Sequence, residues 1–354
     1  MKSDCFFSRK SCFVGFDAFI DCITRPIAGR EGGAPRYFHD LEEYAAFLMG
    51  RNGKSFSVEL EIPETRMGGN NPNMSGILSR CGVDVVSFGA YGKPALDPVF
   101  QPLAETCRLV SFANPGKCTA YEFTFSKMMN FYNMDPRDFT WENLLGHISL
   151  EEIAGLLQPV DLIIFVNLGE QPAVLNIMEM FLKHIFPRFT RRKRFFMDFS
   201  DCRHMTPGEL SRSLEFVRNL RPFGEVILSV NENEYRVLSG HTGSGALSNV
   251  KPEDGTPKAL EVFRAAAGAD GVILRTLGNF YFSSPQETAQ VPNAVVEKPR
   301  FLTGAGDAQN AGFCLGFLAG MSIEETLAAG VRAGNCYIRT GAADPRFIFE
   351  GVLP

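Results

Sequence analysis

The run Phe301-Leu302-Thr303-Gly304-Ala305-Gly306-Asp307-Ala308-Gln309-Asn310-Ala311-Gly312 sets a glycine turn directly before a helical pattern with a carboxylate in its first turn. Gly304 and Gly306 allow backbone conformations and close approaches that a side chain would block, and a helix start leaves N–H groups unpaired. Such a turn suits a transferring phosphate. Asp307 lies just beyond it, where it can take the proton of a hydroxyl brought in line with that phosphate. An ordinary loop before an acidic helix start explains the same letters through the helix dipole, so the pattern alone divides evenly between the two readings.

Other polar residues sit where ligands could reach them. Asn231 and Glu234 follow the apolar stretch 225–230 at its C-terminal end, the edge at which α/β proteins bind ligands. Their spacing is that of a capping box; the same pair would hold phosphates and a hydrated Mg2+. Thr276 and Gly278 end another apolar stretch and would let a nucleotide approach, although a plain strand-to-turn junction has the same form. Asn335, in a helical pattern after Ile323, could hydrogen-bond an adenine edge. Gly68-Gly69-Asn70-Asn71-Pro72-Asn73 leads into a helix predicted over 74–81, with Asn73 either its N-cap or one of several groups for sugar hydroxyls. Asp17 and Asp21 put two carboxylates into an otherwise apolar run, where a buried charge needs partners such as a polyol.

The elements that would position these groups alternate. Apolar stretches of strand length at 12–20, 83–89, 162–166, 194–199, 226–230 and 272–274 are separated by helical patterns, three of which, 172–184, 207–220 and 257–267, begin at prolines suited to a first helical turn. The alternation predicts a doubly wound α/β fold with a mainly parallel sheet flanked by helices. Two insertions interrupt it. Residues 23–67 combine Gly/Pro-rich turns, a helical pattern at 40–49 and the alternating stretch 55–62; residues 118–132 are aromatic, polar and strand-like. Paired in one small sheet over the main layer they would form a lid that excludes water, or equally a homodimer surface.

Composition narrows the class. An apolar fraction of 45% and a charged fraction of 21% are those of a soluble globular chain. A net charge of -5 argues against a surface that coats nucleic acid, and the basic run 191–194 reads as a solvated loop before a strand. Nine cysteines without any Cys-x-x-Cys indicate reduced thiols rather than disulfides or a zinc site. The N-terminus carries no secretion signal and no apolar run reaches membrane-spanning length, so the expectation is a cytoplasmic protein without a membrane partner.

In this order, the Gly/Asp strand, Gly-Gly-x-x-x-Asn, Asn-x-x-Glu, Thr-Leu-Gly and Gly-Ala-Gly-Asp resemble the ribokinase-like PfkB family of carbohydrate and nucleoside kinases over residues 13–341. The resemblance implies a single ribokinase-like domain over 1–354 with lid insertions at about 23–66 and 118–135. It implies ATP- and Mg2+-dependent phosphorylation of a hydroxyl on a sugar or sugar-like molecule, with a nucleoside kinase and an ADP-dependent sugar kinase as the nearest alternatives. A non-catalytic sugar- or nucleotide-binding regulator is set against the complete Gly-Ala-Gly-Asp turn. By the match, Asp307 is the base, and Gly304, Ala305 and Gly306 form the anion hole. Asn231 and Glu234 face phosphates and, through water, Mg2+; Thr276, Gly278 and Asn335 contact the nucleotide. Asp17 or Asp21, Gly68, Gly69, Asn73, Asn167 and Glu170 bind the acceptor. An ordinary ionised Asp307 would suffice as base. Phe301-Leu302 stands where members usually carry Asp-Thr, which implies no K+ activation by that route, and Asn70 stands where typical ribokinases have Lys.

Overall fold

The computed structural model describes residues 7, 10–124, 126–244, 256–293, 296, 299–301 and 303–350. Leu302, one of the two atypical residues before the glycine turn, lies outside them. The chain enters through β1 (Ser11–Phe16) and leaves the main layer at once as β2 (Phe19–Thr24). The single strand expected over 12–20 is therefore two, broken at Asp17-Ala18, because the two halves pair with different sheets. There follow β3 (Pro26–Glu31), β4 (Ala34–Tyr37), α1 (Leu41–Met49), β5 (Glu59–Leu60) and β6 (Glu64–Gly68). Then α2 (Asn70–Arg80) leads to β7 (Asp84–Gly89), α3 (Gln101–Ala104), β8 (Arg108–Ser111) and the hairpin β9 (Gly116–Glu122) and β10 (Lys127–Tyr132).

Next come α4 (Trp141–Leu145), α5 (Leu150–Leu157), β11 (Leu162–Phe165), α6 (Val174–His184), β12 (Lys193–Asp198), α7 (Pro207–Leu220) and β13 (Gly224–Asn231). The last third runs α8 (Glu232–His241), α9 (Thr256–Ala267), β14 (Gly271–Arg275), β15 (Asn279–Ser283), β16 (Thr288–Pro292), α10 (Ala305–Ala319), α11 (Ile323–Thr340) and α12 (Pro345–Glu350).

Nine strands form the main sheet in the order β16-β15-β14-β13-β12-β11-β1-β7-β8. Pairing is parallel from β8 to β14, and β15 and β16 add an antiparallel edge. The chain leaves β1 for β7 on one side and later returns to β11 on the other, so a crevice opens beyond the C-terminal end of β1. The strands read as continuous apolar runs because helices cover both faces; all four residues of β11 are buried. Of the 32 phenylalanines, Phe13 packs against Phe16, Phe88, Phe165 and Phe181 with ring centroids 5.1 to 6.1 Å apart. Burying one such side chain contributes roughly 1.5–3 kcal/mol, with about 0.5–1.5 kcal/mol more per well-placed ring pair.

Local chemistry sets the helix starts. Before α7, Thr206 and Glu209 close a capping box around Pro207. Helix α2 begins four residues before the expected 74–81, so Asn73 lies inside it rather than capping it. Its cap is remote: Asp17 accepts from the Asn70 amide at 2.8 Å and the Asn71 amide at 3.0 Å, doing from the β1–β2 junction what an adjacent Asp would do. The basic run 191–194 is no free loop either. Lys193 is buried and donates to the carbonyls of Gln158 and Val160 at 2.6 and 2.9 Å, and Arg194 donates to that of Phe317 at 2.7 Å.

The two insertions meet in a four-stranded sheet, β10-β9-β2-β6, in which β2 pairs parallel with β9 and antiparallel with β6. Period-two alternation sends Phe19 and Asp21 of β2, Cys118 of β9, and Lys127, Met129 and Phe131 of β10 to one face, above the crevice. A second small sheet, β4-β3-β5, lies beside it. The strand expected over 55–62 shrinks to Glu59–Leu60: Phe56 packs on Phe47 and Val58 on the Phe38–Tyr44–Phe123 cluster, while Ile62 is 92% exposed.

Candidate active site

A cleft of about 370 Å³ lies between this lid face and the C-terminal ends of β12, β13 and β14, with the N-terminus of α10 at its floor. Gly304 precedes α10 at φ +92°, in the left-handed region, and a Cβ there would fall 2.6 Å from the Tyr337 hydroxyl. The first bond within the helix runs from the Ala308 amide to the Gly304 carbonyl, so the amides of Ala305, Gly306 and Asp307 have no intrahelical partner. Helix α10 is held in place by close packing on α11, where Gly312 leaves 2.5 Å between its would-be Cβ and the Ala329 carbonyl, and by the Ser229 hydroxyl, which donates to Asn310 Oδ1 at 2.8 Å.

Asp307 is buried at that helix start and accepts from Asn73 Nδ2 at 2.8 Å. Burial pushes its carboxyl up to about 7; the Asn73 bond and Arg275 pull the other way, while Asp198 and Asp17 add to the rise. Burial thus holds this carboxyl above the ordinary carboxylate range, although an ordinary ionised Asp would also suffice for the role read from the sequence. Lys127 reaches down from the lid to within 3.3 Å of the Thr303 hydroxyl. Burial lowers its ammonium, and Asp307 is the leading charge that supports it.

Asn231 and Glu234 form the full capping box of α8: Asn231 Oδ1 accepts from the Asn233 and Glu234 amides, and Glu234 Oε2 accepts from the Asn231 amide at 2.8 Å. Both line the cleft nevertheless. Burial drives Glu234 up to about 8, helped by Asp198 and opposed by Arg275. Arg275, at the end of β14, has a side chain only 9% exposed; its Nη2 lies 2.8 Å from Asp198 Oδ1 and 3.9 Å from Glu234 Oε2.

Of the expected acceptor residues, Asp21, Gly69, Asn73 and Glu170 line the cleft. Burial raises Asp21 to about 6 against the pull of Arg66 and Lys127, and raises Glu170 to about 7 with Asp17 adding. Gly68 packs on Asp21, 2.1 Å separating its would-be Cβ from the carboxyl carbon. Asp17 is not brought to the cleft lining: its oxygens serve α2 and Asn167, whose Nδ2 donates to Asp17 Oδ2 at 2.9 Å. Asn167 also stands beside Glu170 of the cleft, where its side chain opposes the rise of that carboxyl. The Thr276 hydroxyl closes the β14–β15 turn with Asn279, Gly278 stands open, and Asn335 is buried in α11; none of the three lines the cleft.

Asp198, Arg275 and Ser200 are not among the residues expected from the sequence, while Asn70 is expected only as one of the asparagines of the glycine turn. Asn70 Nδ2 donates to the Ser200 hydroxyl at 2.7 Å and to Asp198 Oδ2 at 3.3 Å, tying α2 to the end of β12. The signal that singled out Asn231, a polar residue at the C-terminal end of an apolar strand, applies equally to Asp198 and Arg275. At the atypical Phe301, the Arg66 and Arg300 guanidiniums lie 5.1 and 5.5 Å from the ring centre.

Residues 6–347 match a family described as prokaryotic ketohexokinase. A ketohexokinase of Haloferax volcanii is 22% identical over 337 residues, 93% of this chain and 86% of that protein. Among solved structures, a Burkholderia thailandensis nucleoside kinase in complex with inosine superposes with a TM-score of 0.65 at 16% identity, covering 96% of each chain. A Cryptococcus neoformans ribokinase in complex with ADP gives 0.64 at 17%, covering 97% of this chain and 99% of its own. Both share the ribokinase fold: a large, mainly parallel sheet flanked by helices with a separate small sheet.

Proposed function

The chain belongs to the prokaryotic ketohexokinase family and is a sugar kinase, and from that premise we propose that it transfers the terminal phosphoryl group of ATP, with Mg2+, to a hydroxyl of a ketohexose. The observation that carries this reading is Asp307 buried beside the unpaired amides that open α10, in a cleft roofed by the lid face. One segment then supplies both the base and the anion-binding turn.

Asn73 donates to Asp307 Oδ2, which leaves Oδ1 to take a proton from the acceptor hydroxyl. As the hydroxyl oxygen bonds to phosphorus, its proton passes to Asp307, and ADP leaves with the electron pair of the broken P–O bond. The amides of Ala305 and Gly306, with that of Gly304, meet the charge on the transferring oxygens. A carboxyl near 7 suits the task, being ionised often enough at neutral pH and basic enough to accept the proton. Asp21, Gly69 and Glu170 offer acceptors and a main-chain surface to the remaining sugar hydroxyls.

Magnesium fits the donors that face the cleft. Mg2+ keeps several waters and leans on substrate phosphates with one or two carboxylates, and Glu234 supplies oxygens of that kind. Glu234 would hold the ion through water, and the ion would neutralise phosphate charge during transfer.

The test offers the purified protein ATP or ADP with Mg2+ and a panel of ketohexoses, aldohexoses and nucleosides. Ketohexose-dependent release of ADP from ATP is the expected result. Preference for a nucleoside, or for ADP as donor, would replace this reading with another kinase of the same fold.

A further inference from the structure

Resting on the phosphoryl-transfer reading, we propose that Arg275 is a catalytic residue whose guanidinium contacts the phosphate chain of the nucleotide, with Asp198 as the residue that positions it. Arg275 and Lys127 are the two cationic side chains among the described residues that line the cleft. They come from different bodies of the fold, Arg275 from the main sheet and Lys127 from the lid.

The guanidinium lies against the anion-binding turn. Its Nη1 donates to the Gly306 carbonyl at 3.3 Å, and a Cβ on residue 306 would fall 2.9 Å from that same nitrogen. Glycine at 306 therefore does more than free the backbone: it lets an arginine reach the place where the amides face a ligand. Asp198 Oδ1, 2.8 Å from Nη2, fixes the plane of the group, and Asn70 in turn steadies Asp198 through Oδ2. Nε is buried and finds no hydrogen-bond partner among the described residues. An arginine presents five N–H donors in a fork that matches phosphate oxygens, and the protein takes up only part of that capacity here.

The charge of the cleft gives this arrangement a purpose. Asp21, Glu170, Asp198, Asp201, Glu234 and Asp307 all line it, an acidic wall that would repel a polyphosphate. A buried arginine is costly and contributes little net stability beyond what an apolar side chain of similar volume would give. Its cost is offset where it meets transferring negative charge.

The experiment compares wild type with Arg275→Met, Arg275→Lys and Asp198→Asn. It reads kcat and the KM of both substrates, and, without acceptor, the calorimetric affinities for AMP, ADP and ATP. Arg275→Met should lower kcat/KM for ATP on the order of 10²–10³-fold. The affinity for ATP should fall toward that for AMP, with AMP affinity and acceptor KM unchanged. Arg275→Lys should recover part of the loss, and Asp198→Asn should lose less than Arg275→Met. Should Arg275→Met fail to fold, Arg275→Lys carries the same test, because a lysine keeps the charge but not the fork. A variant that melts earlier yet keeps wild-type kcat and the wild-type ratio of ATP to AMP affinity overturns the proposal. Wild type that neither binds ATP nor turns over would instead overturn the phosphoryl-transfer reading, a separate outcome.

Discussion

Replacing Asn73 with leucine, which is close to it in shape, removes the hydrogen bond at 2.8 Å to Asp307 and leaves the carboxyl in a buried site without that support. A hydrogen bond to a charged group stabilises it by about 1.5–3 kcal/mol. At about 1.4 kcal/mol per pH unit, its loss moves the ionisation of Asp307 upward by about one to two pH units. Wild-type Asp307 titrates at about 7, so about half of it is ionised at neutral pH. In the variant that fraction falls to between about one tenth and one hundredth, which lowers the rate at pH 7 by roughly 5- to 50-fold. The assay is the pH profile of kcat/KM for the acceptor, measured with saturating ATP and Mg2+. The rising limb should move to higher pH, and the rate should largely recover on the alkaline side. A loss that is uniform across pH, with the midpoint unmoved, would refute the argument that Asn73 tunes a titrating base.

Two further expectations follow from the same geometry. Gly304→Ala places a side chain at φ +92° and 2.6 Å from the Tyr337 hydroxyl, so the turn must shift. The expected result is a fall in kcat of roughly 10²-fold, as for loss of an oxyanion donor, together with a lower melting temperature. Stability should also depend on pH in a defined direction. Asp21 at about 6, Glu170 and Asp307 at about 7 and Glu234 at about 8 are all raised in the fold. Between their unfolded values and these, the native state binds more protons than the unfolded chain, so stability falls as pH rises. The ligand-free protein should melt at a progressively lower temperature from about pH 5 to about pH 8.5, and Asp307→Asn should flatten part of that slope.

What the sequence reveals depends on whether an element's signals are local. The bounds of α7 are legible to the residue, because Thr206, Pro207 and Glu209 supply its start within four positions. The start of α2 is not, because the carboxylate that caps it belongs to Asp17, 53 residues upstream. The break between β1 and β2 is hidden for a related reason: residues 12–20 are apolar throughout, and only the pairing of β1 with β7 and of β2 with β9 divides them. Strands β9 and β10 are visible in their aromatic, polar composition, while the alternation over 55–62 yields only the two-residue β5, with Phe56 and Val58 packed on residues around α1 instead. In the site, the glycine turn and Asp307 could be read directly, whereas Arg275 and Asp198 acquire meaning only as a pair drawn from two strands far apart in sequence. The raised ionisation of Asp307 is equally a property of burial among other carboxylates, which no single motif encodes.

The central claim is that Asp307 takes the acceptor's proton. It is tested most directly by Asp307→Asn, assayed for acceptor phosphorylation alongside calorimetric binding of ATP with Mg2+. The account predicts a loss of turnover of at least ~10²-fold with nucleotide affinity retained; turnover within a few-fold of wild type in that variant would contradict it.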